Sequence, residues 1–453
     1  MMMSMLPSRQ RAATLALAAA LLLAGGCSIL PTEKRHSPSE IAAYQPSDFV
    51  APIASAVGEA AARSTSTQKI YDALALPAGF DPNNIVPGAL WNIGFLNIEK
   101  PAGLTLVMNA LPTLVEKEPD YQRGILTAAY TFYANESAAQ LKTLLSRIAT
   151  PREFAIAAYA IAKADNSLGQ REFILATMRS LFINWRQEPR LIRLNQVLNA
   201  DMRDAIANRP PLVDLLAHTI NPGVNRPVIF SFQRQDRQRF GLAVVRGANG
   251  KFVRNLDGTI FSVPHLANAI TNLPGTITNG NTPQGLFTII GAGTATNKWI
   301  GPTPYLESQI PVEGTVSSFM HDKNQNQNTW TDGVYEAFLP ETWRQYWPFK
   351  EAYLAGLAGR NEMLLHGTTI NSDYYQGMSY YPGTPSAGCL VAMETWSKDE
   401  GRLLKSDQLA LIKAFTRDGF DRGHLLVVEL DDKLAAVGLN DVIADILAAE
   451  SRR

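Results

Sequence analysis

The side chains best placed for covalent chemistry in this 453-residue chain are a thiol and an imidazole in its second half, Cys389 and His366. A free thiol with a reference pKa of ~8.5 is only a few per cent thiolate at neutral pH, and a neighbouring histidine brings it into the working range. The cysteine stands in Pro385-Ser386-Ala387-Gly388-Cys389-Leu390 and the histidine in Leu365-His366-Gly367-Thr368. Gly388 permits close backbone approach, and the main-chain N–H groups of Gly388 and Cys389 are candidates for an oxyanion hole. The chemistry this offers is nucleophilic attack by the thiolate. The plain alternative is a buried structural thiol, since free cysteines are among the most buried residue types.

Two cysteines in all exclude a disulfide framework. The other, Cys27, belongs to a different chemistry. Arg9 and Arg11 precede an uncharged run, Ala12–Leu23, and Leu23-Ala24-Gly25-Gly26-Cys27 follows directly. The run is shorter than the ~20 apolar residues that span a bilayer, which makes it a signal-peptide core. The order basic, apolar, small, cysteine resembles a bacterial lipobox. It implies a lipoprotein signal peptide over 1–26 and an acylated Cys27, and Ser28 resembles outer-membrane sorting, so a periplasmic, lipid-anchored protein is expected. Several acyl chains, at ~0.8 kcal/mol per buried methylene, hold a protein on a membrane where one chain does not.

A third segment, Asn281-Thr282-Pro283-Gln284-Gly285-Leu286-Phe287, completes a series. Thr-Pro-x-Gly, then His-Gly, then Ser-x-Gly-Cys in this order resembles the L,D-transpeptidase (YkuD-like) catalytic domain, a β-sandwich cysteine acyltransferase of bacterial cell-wall metabolism. The resemblance spans 225–431. It implies that Cys389 is the nucleophile, His366 its general base, and Gly367 the position whose backbone carbonyl orients the imidazole. Ser386 and Gly388 would shape the nucleophile turn, and Thr282, Pro283 and Gly285 would be structural. The implied substrates are peptidoglycan stem peptides, passed from a thioester to an amine acceptor without a cofactor.

Family members carry His directly before the Gly-Cys pair and Arg two residues after the cysteine; here these are Ala387 and Val391. Branches without that His act as hydrolases. An L,D-carboxypeptidase, or an enzyme releasing wall-attached protein, therefore stands beside the transferase. A non-catalytic wall-binding lipoprotein with a degenerate site is the alternative of another class. His265, His321 and His424 show no zinc-ligand spacing, so no metal is expected.

The elements that must position these residues read as an α+β multidomain chain. Residues 27–66 mix Pro, Ser, Ala and scattered charges and read as a flexible tether. Residues 67–220 are helical by pattern: Ile174, Met178, Leu181, Phe182 and Trp185 share one helix face. Thr150-Pro151-Arg152-Glu153 reads as a capping box whose helix buries Phe154, Ala157, Ala158 and Ile161. This all-α domain is expected to pack or to bind a protein partner.

From 225 to 431 the texture is β: Pro227 to Phe232, Phe240 to Val245, Leu286 to Ile290, Met363 to Leu365 and Leu425 to Leu430, with a hairpin at Asn249-Gly250. The aromatic interval from Trp330 to Tyr353 suits either an inserted helix around 341–357 or a lid over the cleft, with packing preferred. Residues 432–453 form a helical tail. Lys+Arg and Asp+Glu both number 41, and 18% of residues are charged against roughly 25% in an average protein. Zero net charge argues against nucleic acid as a partner, and 46% hydrophobic residues exclude global disorder.

Overall fold

The computed structural model describes residues 34–199, 205, 207–325 and 327–452. The expected signal peptide and Cys27 lie outside the described residues. Helices and a mixed sheet make the chain α+β, and no helix among the described residues is long and apolar enough to cross a membrane.

The central strands are β-branched and aromatic runs buried on both faces, so they read as nearly continuous apolar segments. In chain order the strands are β1 (Arg35–His36), β2 (Val228–Gln233), β3 (Gly241–Arg246), β4 (Ser262–His265), β5 (Gly285–Gly293) and β6 (Tyr305–Gln309). They continue with β7 (Met363–His366), β8 (Leu390–Val391), β9 (Glu394–Trp396), β10 (Leu403–Ser406) and β11 (Gly423–Glu429). Nine of these form one sheet in the order β4-β3-β2-β11-β5-β6-β7-β8, with β1 paired to β5, while β9 and β10 pair separately. The β2–β11 and β7–β8 pairs are parallel.

Beyond β4, Leu266 and Val391 bridge, each N–H donating to the other's carbonyl at 2.8 and 2.9 Å. The strand path thereby returns on itself, and the period of two sorts the side chains to its two faces. Ile229, Val245, Phe287, Leu425 and Val427 fill one cluster together with Leu409, Ile412 and Phe415 of the helix Asp407–Thr416. Val228, Phe230, Phe232, Leu286 and Val428 face the other way, against the helices Leu212–Ala217 and Ile443–Ser451. Tyr335, Trp343, Phe349 and Tyr353 belong to that second cluster. The aromatic interval is thus core packing on the sheet, and none of its rings joins the cluster around Cys389.

The tether expectation needs correction over 34–66. Ile41, Phe49, Ala51 and Ala54 are buried in the first cluster, and the helix Ala56–Leu74 begins inside this stretch. Apolar residues with no helical period gave no signal in the sequence, yet they join the core cluster shared with the helix Asp407–Thr416. The helix Pro151–Ala164 starts where expected and buries Phe154, Ala157, Ala158 and Ile161, but the Thr150 hydroxyl makes no capping bond. Glu153 instead pairs with Arg152 at 2.6 Å. The Asn249-Gly250 hairpin forms, with Gly250 at φ 83°.

The helical region and the β half share a core. Leu273 and Ile277, from the loop after β4, sit in the helical cluster. Asn97 Nδ2 donates to the Tyr374 carbonyl at 2.8 Å, and Tyr130 Oη to the Asn272 carbonyl at 2.9 Å. Arg193 meets Glu351 at 3.3 Å with both groups buried.

Candidate active site

The parallel β7–β8 register pairs Leu365 with Leu390 and His366 with Val391. Cys389 leads into β8, and residues two apart on a strand share a face, so the long chain interval between His366 and Cys389 collapses to a diagonal neighbourhood on one sheet. The Leu364 N–H points at the Cys389 sulfur, 3.4 Å away.

His366 Nδ1 lies 2.5 Å from the Gly367 carbonyl. A carbonyl only accepts, so Nδ1 carries the proton and Nε2 presents its lone pair, the tautomer a general base requires. Burial pushes the imidazole's pKa down, but the Cys389 side chain, the Gly367 carbonyl and the Glu394 charge outweigh it and raise the pKa above its ordinary value. Nε2 makes no well-formed hydrogen bond with any other protein group. The Gly367 carbonyl is thus the group that fixes the ring.

The turn before the cysteine is held from three sides. Ser386 Oγ donates to the Cys389 carbonyl at 2.7 Å and accepts from the Gly388 N–H at 2.9 Å. Thr282 Oγ1 donates to the Gly388 carbonyl at 2.9 Å. Arg360 donates to the Gly275, Asn281 and Gly280 carbonyls from beneath. Gly388 has φ 122°, and a Cβ there would lie 2.3 Å from Arg360 Nη2, so only glycine fits. The oxyanion role expected for the Gly388 N–H is corrected by this geometry, because that donor is spent on Ser386.

Cys389 is only 2% exposed and packs with Ile300, Tyr305 and Leu364. A sulfur in such surroundings is protected from bulk oxidants, and it gains a charge partner in His366 and a backbone donor in Leu364. That combination suits a thiolate that attacks an acyl carbon once substrate reaches it.

Two contributors carried no signal in the sequence, and the contact made by a third was hidden there. Glu394, on β9, accepts from the Thr368 N–H at 3.0 Å and from Ser406 Oγ at 2.7 Å, against the turn that follows His366. Burial pushes its carboxyl up to about 7, with the Ser406, Thr303 and Thr368 donors and His366 pulling it back. A Cβ on Gly367 would meet Glu394 Cδ at 2.1 Å, so the glycine of His-Gly makes room for this carboxyl. Arg360 sits in no motif at all. Thr282 was legible as part of a motif, but only its contact with Gly388 reveals what it does.

His265 lies near enough to His366 for the two imidazoles to repel one another as cations, while His321 and His424 pair with each other elsewhere. His265 Nδ1 meets Ser231 Oγ at 2.9 Å, and His321 Nε2 meets the Gly423 carbonyl at 3.0 Å, beside His424. Among the described residues no group of three or more His, Cys, Asp or Glu side chains could hold a metal ion.

Compared with protein-family models, with curated proteins and with solved structures, the chain matches none. The resemblance to L,D-transpeptidases therefore rests on the three motifs and on what the fold makes of them.

Proposed function

We propose that the chain is a peptidoglycan-modifying cysteine acyltransferase of the L,D-transpeptidase type, with its returning sheet as the β-sandwich of that family and the helical, aromatic segment around 341–357 as its insertion. The observation that carries this reading is the His366 imidazole fixed by the Gly367 carbonyl with its other nitrogen left for Cys389. The Cys389 thiolate attacks the carbonyl of the L-centre in a tetrapeptide stem, and the C–N bond to the terminal D-residue breaks. The departing amine takes the proton that His366 received from the thiol, leaving a thioester. An amine acceptor then attacks the thioester, gives a proton to His366, and the sulfur leaves as thiolate.

Incubating the protein with a carbapenem, and separately with sacculi, tests this. A covalent adduct on Cys389, lost in Cys389→Ala and slowed at least about a hundredfold in His366→Ala, is expected, the base being worth ~10²-fold or more. New muropeptide dimers identify transfer. Shortened stems alone identify the hydrolase, the second reading that Ala387 favours. Absence of any adduct sinks both and leaves a non-catalytic wall-binding protein, which the near-complete burial of Cys389 favours.

The location we propose is the periplasmic face of the outer membrane, through lipid on Cys27. Metabolic labelling with a palmitate analogue should mark the protein, and Cys27→Ser should abolish the label and release the protein from the membrane fraction.

A further inference from the structure

Between the helices Ile85–Leu96 and Pro119–Phe132 and the loop that follows β4 runs a groove of about 520 Å³, a size typical of ligand sites. Its walls include Lys100, Lys163, Phe132, Asn268, Tyr380 and Pro385. It continues into a narrower cavity of about 120 Å³ that shares Gly94, Thr131, Phe132 and Ile270 with it.

The two ammonium groups are held over aromatic rings, Lys100 at 5.5 Å from the Phe132 centroid and Lys163 at 4.7 Å from that of Tyr130. Lys163 also donates to the Tyr130 and Thr131 carbonyls at 2.9 and 3.2 Å. Neither ammonium has a carboxylate within salt-bridge distance among the described residues, although Glu136 lines the same groove. Part-buried cations without an anion gain most from a ligand that brings one.

An independent observation comes from the opposite wall. Asn268 is 2% exposed, and its side-chain oxygen has no hydrogen-bond partner. A buried amide left so costs stability until a ligand supplies a donor, and a peptide group offers both a donor and an acceptor to it. The Asn268 carbonyl accepts from the Ser386 N–H at 3.2 Å, and the Ile270 N–H donates to the Ser386 carbonyl at 2.8 Å. This wall of the groove is therefore hydrogen-bonded to the turn that carries Cys389.

We propose that this groove is a peptide-binding site for a short peptide with a free carboxylate, its backbone on Asn268 and its carboxylate between Lys100 and Lys163. It rests on the functional reading above only for the peptide's identity, a wall stem bound beside the turn that carries Cys389. Glu136 adds a partner for an amine on the same peptide and disfavours ligands that carry negative charge alone.

The test is calorimetric binding of a tetrapeptide stem, and of the same peptide with its carboxylates amidated, to the full chain carrying Cys389→Ala. Amidation, Lys100→Gln and Lys163→Gln should each weaken binding about tenfold, as expected for a charge-assisted contact. Asn268→Ala should weaken it too, with thermal unfolding confirming that the variant folds. Unchanged binding in the Lys100→Gln/Lys163→Gln double variant overturns the proposal, as does equal affinity for the amidated peptide. Acylation of Cys389 by a carbapenem is read separately in the otherwise native chain. If acylation occurs but no stem binds, the groove assignment is wrong while the catalytic reading survives. If the stem binds through the lysines but Cys389 stays inert, the groove stands and the catalytic reading fails.

Discussion

At the residue scale the pair Cys389–His366 takes its properties from neighbours that oppose one another. Burial alone would leave the imidazole neutral and poorly basic; the sulfur, the Gly367 carbonyl and Glu394 reverse that. Glu394 itself is the more consequential case, because burial raises its carboxyl from the ordinary 4.5 to about 7. The folded chain then binds this proton more tightly than the unfolded chain does. Its contribution to stability is complete below pH 4.5 and is lost as pH rises to about 7, a loss of about 3 kcal/mol. Glu394→Gln should flatten the stability profile over that window in urea titrations. It should also lower the pKa that His366 contributes to the pH profile of carbapenem acylation, since a charge that raises it is gone. A profile identical to that of the parent protein would remove Glu394 from the site.

At the scale of elements, three pieces distant in the chain converge on one turn. The loop before β5 supplies Thr282, the segment before β7 supplies Arg360, and the turn before β8 supplies Ser386 and Gly388. Thr282→Val keeps the shape but deprives the buried Gly388 carbonyl of its donor. It should cost about 1–3 kcal/mol in chemical denaturation, and it should slow acylation of Cys389. A variant as fast as the parent would mean that the turn holds its shape without this bond. The strands themselves were legible, because apolar runs at Val228–Phe232, Leu286–Ile290 and Leu425–Val428 have no helical period and sit between turn residues. Their order was not legible, since hydrogen-bond partners far apart in sequence leave no local pattern. The tyrosines between His366 and Cys389 show the same limit: Tyr375 donates through Oη to the Phe95 carbonyl and docks that interval on the helices.

Across the whole molecule, the stretch read as a tether behaves as part of the β core. Ile41 is fully buried in the first cluster, its helix packed on Asp407–Thr416, and Lys413 Nζ reaches the Tyr44 carbonyl at 2.5 Å. Ile41→Ala should cost about 2–4 kcal/mol in guanidinium unfolding, as deletion of a core side chain does. A tether residue would cost nothing. If Cys27 carries lipid as proposed, this segment, folded onto the β core, would keep the proposed site close to the membrane.

The sequence by itself determined the chemistry on offer: one free thiol in a Ser-x-Gly-Cys turn, a His-Gly to go with it, a lipobox-like cysteine far upstream, and the alternation of helical and strand-forming runs. Those are local properties of residue type and spacing. Only the tertiary structure decided that His366 and Cys389 are neighbours across β7 and β8, that the Gly388 N–H is already engaged, that Arg360 and Glu394 support them, and that the helical region walls a groove beside the turn that carries Cys389. Burial, desolvation and backbone register depend on partners hundreds of residues away. No window along the chain contains them.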